Sequence, residues 1–574
     1  MKKERTVRKQ FFKLMFALCA TFALSIPIGV RAENEVKEKT DANIKGSVVD
    51  SKTQQPLSHA SVLVVGTVIT TTTDAEGHYA LNNLPLGKVK IEVRSAGYRA
   101  LRQEVTTERN YTTEKNFELA PDEIALDEVV VSANRSLTLR RESPVIVNIL
   151  DTKLFESTHS TTLAQGLNFQ PGVRTEDNCT NCGFSQVRIN GLDGHYSQIL
   201  VDSRPVFTAL QGVYGLEQIP ANMVQRVEIV RGGGSALFGA SAIGGTINII
   251  TKEPSENSAE LAHTITGATT GSTAFDNNTT GNVSVVTTNG KAGFYLYAQS
   301  RHRSAYDRDG DGYTDLPTLD NKTLGLSTFL RLTDYSKVTL KYHGLKEFRR
   351  GGNNLFLPPH EANIAEQIEH TINGGSLAYD LFNPNGKGHF SAYASFQNVD
   401  RKSYYGGLGE LASAAEGQKA LNEAYKLGLS LDMSEEDAAK LPDDQQEILA
   451  NAQAYDKAQR AYNVTHNINY IAGAQYVHNF DRLLFMPADL TVGAEYSFDR
   501  IKDRSLGYNS LLEQRVRISS AFVQNEWKNA HWGLLLGGRL DKHNLISHLI
   551  FSPRVNLRYN PTPNANFRLT YAGG

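Results

Sequence analysis

At 574 residues the chain is too long for one ordinary soluble core, so it holds several domains or one very large one. Its 59 basic side chains are balanced by 61 acidic ones, which leaves no electrostatic footprint for nucleic acid. With overall charge uninformative, the informative features are local runs and periodicities.

The first of these is at the N-terminus. Lys2, Lys3, Arg5, Arg8, Lys9 and Lys13 precede an apolar run from Leu14 to Val30, and Val30-Arg31-Ala32 offers a small-residue cleavage site. Residues 1–32 therefore read as a secretory signal. The apolar core is short and interrupted by Pro27, which argues against a retained anchor, and Leu18 before Cys19 argues against a lipoprotein signal. Removing this segment leaves 52 basic against 60 acidic residues, so the exported form is acidic. Only Cys179 and Cys182 then remain, too few for a disulfide-built scaffold. No later run of about 18 apolar residues occurs, so a membrane role must use strands.

Residues 43–119 show short strands separated by turn residues every eight to twelve positions, the rhythm of a small β-sandwich. A zinc peptidase would need two histidines at helical spacing. The nearest candidate, His360-Glu361-Ala-Asn-Ile, has no second histidine, and no catalytic constellation is expected anywhere in the chain. A polar linker, 120–126, leads to Asp127-Glu128-Val129-Val130-Val131-Ser132-Ala133-Asn134-Arg135. Three valines between charged neighbours favour an extended strand but cannot build a core. Such a segment either lends its backbone to another sheet or is an ordinary linker strand.

From 137 to 254 the chain is dense in glycine and short strands. Val187–Asn190 and Gln198–Asp202 flank a Gly-Leu-Asp-Gly turn, and Val227–Val230 and Thr246–Thr251 flank a second glycine cluster. Gly234 to Gly239 has the spacing of a phosphate loop, but Ala240 stands where the lysine is needed, and Leu237 replaces the closing glycine of a nucleophile elbow. Energy for any transport must come from outside the chain. Cys179-Thr-Asn-Cys182 reads as a small loop-pinning disulfide, with a soft-metal or thiol site as the alternative, and His195 as a solvated turn residue.

Beyond residue 258 the pattern changes to long alternating segments. Phe294, Leu296 and Ala298 alternate with Tyr295, Tyr297 and Gln299, and Val555, Leu557 and Tyr559 alternate with Arg554, Asn556 and Arg558. Segments of about ten residues with one apolar and one polar side are what a transmembrane β-barrel requires. Roughly 13 such segments are expected before Gly574, an odd number that suggests an incomplete barrel. Asp307, Asp309, Asp311 and Asp315 fall at positions 1, 3, 5 and 9 of a calcium-loop spacing with Gly312 at 6, although Thr318 replaces the usual glutamate. The same residues also suit an acidic solvated loop. A segment at about 408–461, rich in Ala, Glu, Lys and Gln, reads as a helical extracellular insertion, with Ser434-Glu-Glu-Asp437 as a helix start within it. His343, His360 and His370 bracket a loop and are read as haem ligands or as polar surface.

Several stretches carry a family resemblance. Arg188-Ile-Asn-Gly-Leu192, Ile199-Leu-Val-Asp-Ser-Arg-Pro-Val206, the run Ile219 to Gly239 and Gly244 to Lys252 resemble the plug domain of TonB-dependent outer-membrane receptors. Residues 43–119, with Gly46, Pro56, Asp74, Gly77, Pro85, Gly87, Gly97 and Tyr98 as landmarks, resemble the carboxypeptidase regulatory-like domain that precedes the plug in receptors of Bacteroidetes type. Asp127 to Ala133 then resembles the TonB box, which docks by β-strand addition on the energy-coupling protein. The resemblance implies a mainly β chain: an N-terminal β-sandwich, an α/β plug and part of a transmembrane antiparallel β-barrel. It implies an outer-membrane importer of a scarce ligand, an iron-siderophore, haem or a corrinoid, that partners TonB and membrane lipid and is not an enzyme. No cofactor is required; a structural calcium is a candidate, because receptors similar to cobalamin transporters use one to order the outer surface. A passive porin and a surface signalling or adhesion receptor are the alternatives.

Overall fold

The computed structural model describes residues 40–574 except 59, 96–97, 122–128, 131, 133–137, 141, 180–182, 206–214, 233–234, 240–241, 508, 563–564 and 574. The expected signal segment lies outside the described residues.

The N-terminal unit has eight strands: β1 (Asn43–Asp50), β2 (Ser61–Val64), β3 (Thr70–Thr72), β4 (His78–Leu81), β5 (Gly87–Arg94), β6 (Leu101–Thr107), β7 (Thr112–Glu114) and β8 (Phe117–Leu119). One sheet has β1 at its centre, paired with β4, β7 and β8, and the other runs β3-β2-β5-β6. Alternate residues of each strand point between the sheets, so Ile44, Val48, Val62, Ile91, Phe117 and Leu119 form one buried core. Gly46 is required there: a Cβ would sit 1.9 Å from the Lys115 carbonyl oxygen.

The next unit begins with two short strands, β9 (Val129–Val130) and β10 (Thr138–Leu139), which pair antiparallel. It continues with β11 (Val147–Asp151), α1 (Thr152–Ser157), α2 (Leu163–Leu167), the hairpin β12 (Val173–Cys179) and β13 (Phe184–Ile189), β14 (Ser197–Val201), β15 (Arg204–Pro205), β16 (Val224–Arg231), α3 (Ser235–Phe238) and β17 (Gly245–Thr251). Five of these make a mixed sheet, β11-β16-β17-β14-β15, with β14 and β17 parallel. Leu163 and Leu167 of α2 cover one of its faces, packed with Val227, Ile229, Ile247 and Ile249. Asp151 caps α1, its carboxylate accepting from the Leu154 N–H at 3.0 Å.

The remainder is one sheet of 13 strands in sequence order. They are β18 (Ser258–Ala268), β19 (Ala274–Val286), β20 (Ala292–Arg303), β21 (Thr318–Thr333), β22 (Ser336–Gly352), β23 (Ala365–Phe382), β24 (Gly388–Gly406), β25 (Tyr462–Leu483), β26 (Met486–Ser505), β27 (Ser510–Lys528), β28 (Trp532–His543), β29 (Ile550–Thr562) and β30 (Ala565–Ala572). Every neighbour is antiparallel, so turns and long loops segregate to opposite ends. The long-loop end carries 304–317, 353–364 and the insertion, whose helices α4 (Ala414–Lys426) and α5 (Asp443–Arg460) pack through Ala420, Ala424, Leu449 and Ala452. Ser434 caps a short helical turn between them, as its spacing suggests.

The sheet is inverted relative to a water-soluble sandwich. Leu324, Leu330, Leu340, Val523, Leu536 and Leu540 are exposed on its outer face, whereas Asn321, Glu347, Arg349, Asn556 and Arg558 are buried on the inner one. Only a solvent less polar than the interior stabilises that arrangement, which is the rule for transmembrane barrels. Trp532 and Tyr559 stack on the outer face at the short-turn end, with ring centroids 4.3 Å apart, where an interfacial aromatic girdle belongs.

Candidate plug and barrel gating site

Three sets of contacts hold the mixed-sheet unit against the inner face of the barrel wall. Nearest the long loops, the turn of the β12–β13 hairpin is closed by a bond from the Gly183 N–H to the Cys179 carbonyl. The Arg349 guanidinium on β22 donates to the Gly183 carbonyl at 3.0 Å, to Glu217 at 2.7 Å and to Glu347 at 3.0 Å. Gln218 donates to Glu347 at 3.0 Å, and His370 on β23 lies 3.3 Å from the same carboxylate. Burial opposes charge on Glu217, but Arg349, Arg303 and Arg301 outweigh it and hold its carboxyl below the usual range.

At mid-height Lys341 bridges Asp202 at 2.8 Å and the Thr251 hydroxyl at 2.6 Å. Burial opposes ionisation of Asp202, and Lys341 more than offsets it, so that carboxyl also stays low. Arg204 lies over the Tyr393 ring at 4.9 Å. A cavity of about 110 Å³ remains beside these contacts, between Ile219 and Met223 on one side and Tyr297, Leu345 and Ile372 on the other. Against β27 and β28 the contact is tighter: Leu237 and Phe238 of α3 pack on Phe522, and Arg539 donates to the Leu237 carbonyl at 3.1 Å while pairing with Glu495 at 2.7 Å.

A separate set, internal to the mixed-sheet unit, anchors the valine segment. Asp127, Glu128, Val131 and Ala133 lie outside the described residues; Val129 and Val130 form β9, and Val130 is fully buried against Val145, Val147 and Val230. The Ser132 backbone N–H and hydroxyl both donate to one Glu228 oxygen, at 2.9 and 2.7 Å. Asn248 donates to the Ser132 hydroxyl at 2.8 Å, and Arg226 engages the other Glu228 oxygen at 2.9 Å. Glu228 and Asn248 are register partners on β16 and β17, so one cross-strand pair receives the serine.

Other expected residues are distributed as follows. Cys179 Sγ lies 3.0 Å from Glu366 on β23; Cys182 is outside the described residues, as is the side chain of His195. The carboxylates of Asp307, Asp309 and Asp315 converge, with ligand atoms within 4.8 Å of one another. Asp311 is not part of that group, and its carboxylate accepts from the Tyr313 N–H at 2.8 Å, as the other three accept from backbone N–H groups of the loop. Positive φ at Gly310 and Gly312 makes the loop's sharp turns. The three histidines serve separate partners, His360 against the Tyr462 hydroxyl at 2.8 Å, His370 against Glu347, and His343 on the cavity wall. Glu217, Glu228, Asn248 and Arg349 were not singled out by sequence reasoning. Their available signal was a charge inside an apolar run, Val227-Glu228-Ile229, and charges on the polar face of an alternating strand.

Three family descriptions match in chain order: CarboxypepD_reg-like domain over residues 44–131, TonB-dependent Receptor Plug Domain over 140–246, and TonB dependent receptor-like, beta-barrel over 255–574. Among curated proteins the chain is similar to the vitamin B12 transporter BtuB of Vibrio cholerae serotype O1, 34% identical over 128 residues, covering 22% of this chain and 21% of that one. BtuB of Photobacterium profundum is 26% identical over 205 residues, covering 34% and 32%. Similar solved structures include the siderophore receptor PirA from Acinetobacter baumannii, TM-score 0.56 at 18% identity, covering 75% of this chain and 61% of that one. The ferric enterobactin receptor PfeA (a double mutant) from Pseudomonas aeruginosa gives 0.57 at 16%, covering 75% and 62%. These structural likenesses speak to the fold, and the matches span about a fifth to a third of the curated relatives and about three fifths of the solved receptors. With the barrel match alone covering more than half of the residues, the chain belongs to the TonB-dependent receptors of the outer membrane.

Proposed function

We propose that the protein imports a scarce metal chelate, a corrinoid, ferric siderophore or haem, across the outer membrane, and that it is driven by TonB acting on Asp127 to Ala133. The observation that carries this reading is the Ser132–Glu228–Asn248 contact, which ties the valine segment to the central sheet of the plug. A pull on that segment therefore loads β16 and β17 directly, the strands whose neighbours contact the wall. The choice of chelates rests on relatives named for vitamin B12 and structural neighbours named for siderophores. Ligand enters from the long-loop end, over the β12–β13 turn, which Arg349 links to Glu217. We further propose that Asp307, Asp309 and Asp315 hold calcium and stiffen that end, and that Cys179 and Cys182 form a disulfide in the oxidising exterior.

Growth of a deletion strain on single sources of corrinoid, ferric siderophore or haem tests the reading. Complementation by the full-length gene, abolished by deleting residues 127–133 with ligand binding retained, is the expected result. Retained uptake in that deletion would reject the role of the segment, and a strain without any nutrient phenotype but with altered diffusion of small solutes would favour a porin.

A further inference from the structure

The N-terminal sandwich is seated on the short-turn end of the barrel. Three consecutive hairpin turns meet it there: 287–291 between β19 and β20, 334–335 between β21 and β22, and 383–387 between β23 and β24. Asn82 donates to the Thr288 carbonyl at 2.8 Å, and the Val68 N–H donates to the Asp334 carbonyl at 3.0 Å. Arg331, near the end of β21, donates to the Thr70 carbonyl at 2.7 Å. Gly66 meets Gly386 backbone to backbone, since a Cβ on Gly66 would stand 3.1 Å from the Gly386 Cα. Short turns face the periplasm in bacterial outer-membrane barrels, so the sandwich sits beneath the barrel on its β19–β24 side.

The cavity beside Lys341 lies on the same side. Thr251 and Lys252 line that cavity, and Pro254 to Asn257, a little further along the chain, line a second one of about 650 Å³ between the sandwich and the turns. Thr70 to Thr72, His78 and Asn82 form its opposite wall. Several hundred Å³ is the volume of a small-molecule site. A solute leaving the first cavity toward the periplasm therefore enters a chamber large enough to hold it, with the sandwich as its floor. The seam is also built to part. Its hydrogen bonds go to backbone carbonyls that water serves equally well, and faces that leave such a volume between them lack the close packing of a permanent interface.

The order of the chain makes this floor movable. Nine residues, 120–128, separate Leu119 at the end of β8 from Val129 of β9. Fully extended, they let the two stand at most about 35 Å apart. The segment at 127–133 is thus tied at one end to the barrel, through the sandwich, and at the other to the plug, through Ser132 and Glu228. We propose that the sandwich covers the exit chamber, and that the pull which loads the plug also draws this cover off the barrel rim. One displacement then opens the wall cavity and the floor beneath it together. The cover rests on the reading of 127–133 as the pulled segment and is independent of which chelate is carried.

The test uses the full-length receptor without its native cysteines, carrying Asn82→Cys and Thr288→Cys. A short bis-methanethiosulfonate should join the two thiols in outer membranes. No joining in a receptor shown to be folded by its heat-modifiable mobility would overturn the seating, and a misfolded pair is replaced by Thr67→Cys/Asp334→Cys. In nanodiscs, the C-terminal domain of TonB on a cantilever draws out 127–133 while a donor at position 82 and an acceptor at position 288 report their separation. Energy transfer should be lost once Val129 stands about 35 Å from Leu119, and transfer that persists as more chain is drawn out would overturn the coupling. In cells, import is followed with vitamin B12, ferric enterobactin or haem, whichever the unmodified receptor carries. Joining the thiols should reduce it to the level of a receptor lacking residues 127–133, with binding at the outer face unchanged, and reductant should restore it. Undiminished import through the joined receptor would overturn the cover, whereas import without residues 127–133 would instead remove the pulled segment on which it rests.

Discussion

Replacing Ser132 with alanine isolates the anchor of the valine segment. The hydroxyl donates to Glu228 and accepts from Asn248, and Ser132 is almost wholly buried. The backbone N–H keeps its own bond to Glu228, so the substitution removes one charge-assisted and one neutral hydrogen bond. A bond to a charged acceptor contributes about 1.5–3 kcal/mol, and Asn248 still donates to Ser203, which limits the further cost. A net loss of about 2 kcal/mol raises the open fraction of the segment roughly 30-fold. The assay is maleimide labelling of the thiol introduced by Val130→Cys in receptor from which the native cysteines have been removed. Val130 is buried against Val145, Val147 and Val230, so a thiol at that position reacts only on opening. When closing is faster than labelling, the rate follows the opening equilibrium, so V130C/S132A should label about 30-fold faster than V130C alone. E228Q should act in the same direction by removing the charge. Rates within threefold of each other would refute the view that this contact holds the segment on the plug.

The remaining predictions concern other parts of the chain. Arg349→Ala leaves Glu347 and Glu217 buried without their guanidinium, so thermal unfolding in detergent should show a loss of about 3–5 kcal/mol, and an unchanged transition would contradict the network. Burial alone would raise the carboxyl of Glu92, but Arg94 and Arg102 outweigh it and hold it below the usual range. Its contribution is therefore present above the ordinary glutamate pKa of about 4.3 and is lost as pH falls through the lower folded value; Glu92→Gln should flatten that acid limb of β5 amide protection in hydrogen exchange. Calcium at about 10⁻⁴–10⁻³ M should slow proteolysis between residues 304 and 317, and Asp307→Asn should abolish the protection. Alkylation without reductant should leave both Cys179 and Cys182 unmodified in the mature protein, and two added alkyl groups by mass would reject the disulfide.

Period and punctuation carried most of the architecture. Alternation around Phe294–Gln299 and Arg554–Tyr559 is a local property of a strand, and the structure puts Phe294 and Leu296 outside and Tyr295 and Tyr297 inside. The glycine turns of the plug and the capping pattern at Ser434 are likewise local. The plug–wall contacts are of another kind. Arg349 and Glu217 are far apart in sequence, and only strand register together with the path of the plug loop brings them to 2.7 Å. Glu228 reads as an interruption of an apolar run until Ser132 is placed beside it. The acidic loop was legible in its spacing but not in its rotamers, since Asp311, at position 5 of that spacing, stays outside the group in which Asp307, Asp309 and Asp315 converge.

The chemistry of the plug–wall contacts bears on how a folded domain can be moved without unfolding the barrel. Apart from the cluster of Leu237, Phe238 and Phe522 and the Arg204 guanidinium over Tyr393, the plug–wall contacts described above are charge pairs and hydrogen bonds: Lys341 with Asp202, Arg349 with Glu217 and Gln218 with Glu347. Asn222 adds a bond to the Ala298 carbonyl at 3.2 Å. Buried ion pairs fix geometry while contributing little net stability, because desolvation offsets most of their attraction. Water entering as the plug shifts can solvate each separated partner, whereas separated apolar faces would gain nothing from it. The β21–β24 side, with its cavity and its lysine bridge, is therefore the side that opens at least cost, and the α3 side is the natural pivot. Closing the cavity from the wall discriminates the two. Ser395→Trp should block uptake with binding intact, whereas a conservative Phe522→Leu at the pivot should weaken the packing yet leave the route passable. Normal transport by a folded Ser395→Trp receptor would remove β21–β24 as the opening face.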